Sequence, residues 1–103
     1  MSAWNVVAEA ADLAEGEMLA ISLGERRLIL YRTATGVFAT DRRCTHQGAD
    51  LMRGYLDGVV IECPVHQGRF DIRSGAALNA PVCVPLCTYE TRLSEGKIEI
   101  KTA

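Results

Sequence analysis

This sequence has few of the residues on which most protein chemistry depends. Its 103 residues include two histidines, one tryptophan and four cysteines, with three tyrosines and two phenylalanines completing the aromatics. If one site takes both histidines, no second histidine-dependent site can exist. Cysteine is about 4% of the chain, well under the ~8–10% of a disulfide scaffold, and paired thiols are rare in a reducing cytosol. Like charges never run to five in a row, so there is no charged tail. Eleven basic residues face thirteen acidic ones, a net charge of −2, which argues against nucleic acid, whose binders carry a basic stripe. The uncharged stretch Ser74–Thr88 contains Gly75, Asn79, Pro81 and Pro85, and reads as loop and strand rather than a membrane span. The N-terminal residues lack the basic, apolar and small-residue sections of a signal peptide. These absences point to a cytoplasmic chain with no membrane and no nucleic-acid partner.

What remains is ordinary in amount and informative in arrangement. Apolar residues make up 49% and charged residues 23%, close to an average globular domain. A chain of this length buries roughly two-thirds of its unfolded surface, enough for a core without a metal or disulfide staple, so residues 1–103 read as a single domain. The segments are short, rich in Val, Ile, Leu and Tyr, and separated by turn residues. Trp4–Ala8 suits a strand, and Trp4 suits a core or edge aromatic rather than a contact. Ala10–Gly16 suits a helical turn or loop with Asp12 as cap; Asp12, Glu15 and Glu17 read as a solvated turn. Glu17–Leu23 and Arg26–Arg32 flank Gly24-Glu25, a pair suited to a type II′ hairpin. Thr33–Gly36 turns the chain into Val37–Thr40, and Thr88–Leu93 and Lys97–Lys101 flank the turn Ser94-Glu95-Gly96. No window carries a convincing helical period. The expected fold is all-β, a small antiparallel sandwich or barrel.

Residues 41–73 differ from the rest. They hold both histidines, two cysteines, four glycines, five bases (Arg42, Arg43, Arg53, Arg69, Arg73) and five acids (Asp41, Asp50, Asp57, Glu62, Asp71). The segment reads as a site-bearing insertion between two halves of a β scaffold. Within it, Cys44-Thr45-His46 and Cys63-Pro64-Val65-His66 are separate Cys/His pairs, with sixteen residues between His46 and Cys63. Gly54-Tyr55-Leu56 and Val59-Val60-Ile61 flank Asp57-Gly58, a hairpin signal that folds the two loops to face each other. Each loop then offers one thiolate and one imidazole, the distribution required by a [2Fe-2S] cluster with two Cys on one iron and two His on the other. A structural zinc site also takes two Cys and two His, although zinc fingers pair like with like around a helix. The five arginines read either as a docking rim or as solvated charge balanced by the acids. Cys83 and Cys87 would lie about 13 Å apart in an extended strand, too far for a disulfide, and read as small packing residues.

The spacing and its neighbours resemble Rieske iron–sulfur proteins. Cys44-Thr45-His46-Gln47-Gly48-Ala49 is similar to the first cluster loop of that family. Cys63-Pro64-Val65-His66-Gln67-Gly68-Arg69-Phe70-Asp71 is similar to the second, and Gly75 followed by Pro81 resembles the proline-bearing third loop that covers the cluster. Length and flanks resemble the small bacterial ferredoxins of aromatic-ring-hydroxylating dioxygenase systems. The resemblance implies a Rieske fold with a subdomain of two facing loops over about residues 41–73, and a [2Fe-2S] cluster held by Cys44, His46, Cys63 and His66. It implies a monomeric, cytoplasmic electron carrier of aromatic hydrocarbon catabolism rather than an enzyme. Its donor would be an NAD(P)H-dependent flavin reductase and its acceptor a terminal Rieske non-haem iron oxygenase. The oxygenase role itself is excluded, because a mononuclear iron needs two further histidines. No glycine fingerprint of a nucleotide-binding reductase is present. Open alternatives are a Rieske-type subunit of another reductase or monooxygenase system, a zinc-binding interaction module, and a redox sensor, for which 103 residues leave no room for an output domain.

High-potential Rieske proteins carry an extra Cys in each loop, joined as a disulfide, and Ser and Tyr hydroxyls near the sulfurs. Ala49, Val65, Gly68 and Phe70 stand at the approximate places here. Gly48 and Gly68 are expected to let backbone N–H groups approach the sulfurs, and the imidazoles to expose a free ring nitrogen that links reduction to protons at high pH. Hydrogen bonds to sulfur favour the reduced state, so their loss lowers the potential. The expected midpoint is near the low end of the Rieske range, about −150 mV. Potentiometric titration checks this, with Phe70→Tyr expected to raise the value and a wild-type midpoint above zero contradicting it.

Overall fold

The structure, a computed structural model, describes residues 3–46, 48–65, 67–80, 82 and 84–102. Ten strands follow one another along the chain: β1 (Ala3–Glu9), β2 (Met18–Leu23), β3 (Arg26–Thr33), β4 (Gly36–Asp41), β5 (Tyr55–Asp57), β6 (Val60–Glu62), β7 (Arg69–Asp71), β8 (Thr88–Tyr89), β9 (Thr91–Ser94) and β10 (Lys97–Thr102). Two 3-10 turns, Ala10–Asp12 and Leu51–Arg53, are the only helical elements among the described residues. All pairings are antiparallel. The strands form three sheets, ordered β1-β10-β9, β2-β3-β4-β8 and β5-β6-β7. The third sheet and its loops are the insertion expected between the two halves.

Strand β3 joins the layers. Its residues 28–31, Leu-Ile-Leu-Tyr, are all fully buried, which alternation alone would not produce on a one-sided sheet. Leu28 and Leu30 enter a core with Val37, Ala39, Ile98, Ile100 and Leu13. Ile29 and Tyr31, on the opposite face, enter a second core with Leu51, Ile61, Phe70, Ile72, Val82, Leu86 and the two cysteines Cys44 and Cys63. Burying each such side chain contributes about 1.5–3 kcal/mol. The Tyr31 hydroxyl, pushed well above the ordinary tyrosine range by burial, meets Thr40 Oγ1 at 2.7 Å. Thr40 in turn donates to the Asp41 carbonyl. No buried side-chain N or O among the described residues lacks a partner.

Several local expectations need correction. The Asp57-Gly58 turn is shifted by one residue: Asp57 pairs with Val60, so Gly58-Val59 forms the turn. Gly54 ends the second 3-10 turn instead of opening a strand. The last hairpin turns on two residues, Glu95 and Gly96, both at positive φ, because Ser94 already pairs with Lys97. Asp12 closes the first 3-10 turn, whose N-cap is Glu9 with no side-chain bond. The loop behind it is tied down by Arg32, whose Nη1 donates to the carbonyls of Ala10 and Leu13 at 2.9 Å each. Glu17 precedes β2 and accepts the Ala14 N–H. Trp4 lies on the edge strand β1 under the Arg92 guanidinium, 4.1 Å from its ring centre.

Two glycines differ in what they allow. Gly24 has φ +63 at the first turn position and open space where a Cβ would stand. Gly75 has φ +81, and a Cβ there would lie 2.1 Å from the Leu86 carbonyl oxygen, the same oxygen-bearing segment whose Leu86 N–H donates to Gly75. Gly24→Ala should therefore cost about 1 kcal/mol, and Gly75→Ala several times that, because backbone must move. Urea denaturation of the two variants measures the difference; equal losses would contradict it.

Candidate metal centre

The two Cys/His loops are built alike. In the first, the Cys44 N–H donates to the Ala49 carbonyl at 2.8 Å; in the second, the Cys63 N–H donates to the Gly68 carbonyl at 2.7 Å. Each is a closed loop pinned across five residues. Each also has an ion pair across its base. Arg42 forks onto Asp50 with two bonds of 2.8 Å, and Arg69 Nε reaches Glu62 at 3.0 Å. Asp50 also takes the Met52 N–H and so caps the 3-10 turn that leads into β5.

These loops bury both thiols in the second core, where Cys44 and Cys63 are 2% and 1% exposed. Cys44 and Cys63 share that core, close enough for one thiol to act on the other. Burial pushes the Cys63 thiol up and Cys44 adds to the rise, while the Val65 N–H bonded to it pulls the other way. His46, two residues beyond Cys44, is exposed. His66 lies outside the described residues, as do Gln47, Pro81 and Cys83. Thus the structure brings Cys44 and Cys63 together inside and carries His46 outward. Among the described residues no three His, Cys, Asp or Glu converge on one point. A single tetrahedral zinc would require Cys44, Cys63 and His46 to do so. A two-iron cluster instead separates its thiolates from its imidazoles, and this donor set fits it.

A third stretch, following β7, packs over both loops through Val82 and Val84. Thr45 Oγ1 donates to the Val84 carbonyl at 2.7 Å. Gly68 abuts Val82, whose Cγ1 lies 2.4 Å from where a Cβ would stand. Gly68 is thus needed for close packing, and Gly48 donates its N–H to the Cys44 carbonyl. The expected sulfur contact is made by Val65 instead, a donor invisible in sequence because it belongs to backbone. Cys87 also departs from expectation. It is exposed rather than packed, because residues 84–87 are not a strand and Leu86 is the side chain turned into the core. The arginines divide: Arg42, Arg69 and Arg73 are paired to Asp50, Glu62 and Asp71, as solvated charge predicts. Val65 and Val84 leave apolar surface exposed on the second and third loops.

A family profile described as Rieske [2Fe-2S] domain matches residues 3–90. The chain is 39% identical to the ferredoxin component of the naphthalene 1,2-dioxygenase system of Pseudomonas putida, over 94% of this chain and 93% of that one. Among solved structures it is similar to the Sphingomonas yanoikuyae B1 ferredoxin, with a TM-score of 0.90, 36% identity, and coverage of 98% of this chain and 100% of that one. It is also similar to a chain from the complex of reduced oxygenase and oxidized ferredoxin in carbazole 1,9a-dioxygenase, with a TM-score of 0.87, 37% identity, and coverage of 94% and 91%. The first of these relatives is named as the ferredoxin component of a dioxygenase system and the second as a ferredoxin.

The base of the first loop has a measurable pH signature. Hydrogen bonds from Arg42 and, next, the Met52 N–H hold the Asp50 carboxyl at about 2 against an ordinary 3.8. A depressed carboxyl stabilises the fold above its unfolded value and loses that contribution as pH falls through the folded one. The stability gap between wild type and Asp50→Asn should therefore be full at neutral pH, shrink below 3.8 and close near 2. Denaturation midpoints across that range test it; a gap independent of pH would assign the loss to another cause.

Proposed function

Because this chain belongs to the Rieske [2Fe-2S] domain family, we propose that it is a ferredoxin carrying one electron from an NAD(P)H-dependent flavin reductase to a terminal Rieske non-haem iron oxygenase. The system would be a bacterial one that hydroxylates aromatic rings. Support for the acceptor comes from the similarity to a ferredoxin solved in complex with its oxygenase, and support for the system from the dioxygenase ferredoxins it resembles. The donor follows from the family resemblance. The chain is read as one domain over residues 1–103, monomeric and cytoplasmic.

The observation that carries the reading is the pair of buried, adjacent thiols Cys44 and Cys63 on loops whose first also presents an exposed His46. Cys44, His46, Cys63 and His66 would hold the cofactor. When bound, the [2Fe-2S] group supplies a one-electron couple. Cys44 and Cys63, once deprotonated, hold negative charge inside an apolar core of Tyr31, Leu51, Ile61 and Phe70 that excludes water. The Val65 N–H offsets part of that charge at the Cys63 sulfur. His46 at the surface shortens the route for an electron between the core and a docked partner. No histidine is left over for substrate chemistry, since both serve one site.

The test is the purified protein itself. Holo-protein should contain about two irons and two sulfides per chain, absorb in the visible, and give a rhombic EPR signal on reduction. Cys44→Ser and Cys63→Ser should each abolish the cluster. A colourless protein containing zinc would overturn the assignment.

A further inference from the structure

The second loop contains a conformation that its own residues do not explain. Gln67 sits at φ +53, a left-handed backbone that is strained for a residue with a side chain. Among the described residues the only other non-glycine of this kind is Glu95, which is accounted for by the two-residue hairpin turn it occupies. Gln67 follows His66 directly in the chain and sits not in a two-residue hairpin but in a wider turn, closed by the Cys63 N–H on the Gly68 carbonyl.

The hold comes from across the third stretch. Asn79 Oδ1 accepts the Arg69 N–H at 2.7 Å, and Asn79 Nδ2 donates to the Gln67 carbonyl at 3.3 Å. One carboxamide thus spans residues 67–69 as a peptide group of a neighbouring strand would. The backbone prepares this: the Leu78 N–H donates to the Arg69 carbonyl at 2.8 Å, and Phe70 bridges Ala77. At Asn79 the side chain takes over where the ladder ends. On the inner side the same turn is closed by the Cys63 N–H on Gly68. The turn is therefore gripped from the core by a cysteine backbone and from outside by a single amide. Aspartate could accept from Arg69 but not donate to Gln67, and alanine can do neither.

We propose that Asn79 is a positioning residue for the second cluster loop: its carboxamide holds the left-handed turn at Gln67 and thereby fixes the geometry of residues 67–69, onto which the Cys63 N–H closes. The redox part of this inference rests on the cluster assignment above; the conformational part does not. Asn79 touches no reacting group, so its effect passes through the loop.

The experiment uses holo-protein of the wild type, Asn79→Ala and the isosteric Asn79→Asp. Hydrogen-exchange mass spectrometry reads the peptide covering residues 64–72, EPR of the reduced protein reads the cluster environment, and thermal denaturation controls for global loss. Asn79→Ala should exchange in that peptide about tenfold faster than wild type, with a shifted or broadened EPR spectrum. Asn79→Asp should be intermediate, since the Arg69 bond survives, and it keeps the test usable should the alanine variant fold poorly. Unchanged exchange overturns the proposal. Faster exchange with an unaltered EPR spectrum also overturns it, reducing Asn79 to a tie without influence on the centre. A wild type without iron would sink the ferredoxin assignment and the redox half with it, while the exchange comparison would still decide the conformational half.

Discussion

The structure depends on one strand being buried on both faces. Strand β3 gives Leu28 and Leu30 to one core and Ile29 and Tyr31 to the other, so scaffold and metal-bearing insertion share a wall. Neither core can lose that strand without exposing the other. The thiols of Cys44 and Cys63 belong to the second core as fully as Phe70 or Ile61 does. Burial, with Cys44 adding to it, disfavours ionisation of the Cys63 thiol, and metal binding reverses this by deprotonating a coordinating thiol outright. The interior is thus arranged to be completed by its cofactor.

Around that interior the two loops use one plan. Each cysteine N–H closes on a carbonyl five residues on, and each base is bridged by an arginine and a carboxylate, in opposite order along the chain. Ion pairs at such exposure are each worth little, about 0–1 kcal/mol; their geometry matters more, since they hold the two arms of each loop together. Of the five arginines in this part of the chain, two bridge the loop bases and a third, Arg73, pairs with Asp71.

Much of this was legible in the residues. The Cys/His spacing, the glycine-led turn at Gly24 and the all-β character follow from local chemistry, and the relatives bear out the family. Registers were less legible. Asp57-Gly58 suggested a turn with Gly second, but Gly58 occupies the first turn position and β6 starts at Val60. Only cross-strand packing sets that choice. Residues 74–80 and 84–87 gave no period because they are held by isolated bonds such as Leu86 N–H to Gly75 rather than by a ladder. For the same reason the exposure of Cys87 was not readable. Leu13, expected within a loop, is a core residue because Arg32, nineteen positions on, anchors its carbonyl. The Asn79 grip on Gln67 and Arg69 is long-range as well and leaves no local pattern.

The pairing of β1 with β10, from Ala3↔Thr102 to Glu9↔Lys97, joins residues almost the whole chain apart. Strands β2, β3 and β4 pair with neighbours in sequence, as do β5, β6 and β7, while only β8 joins the second sheet from far along the chain. During synthesis the chain emerges N-terminus first, at about 5–20 residues per second. The metal-binding segment therefore leaves the ribosome roughly one to six seconds before the strand that closes the outer sheet. For that interval β1 is an unpaired edge, and the first core lacks Ile98 and Ile100. Of the three sheets, the outer one is the last whose strands are all available for pairing.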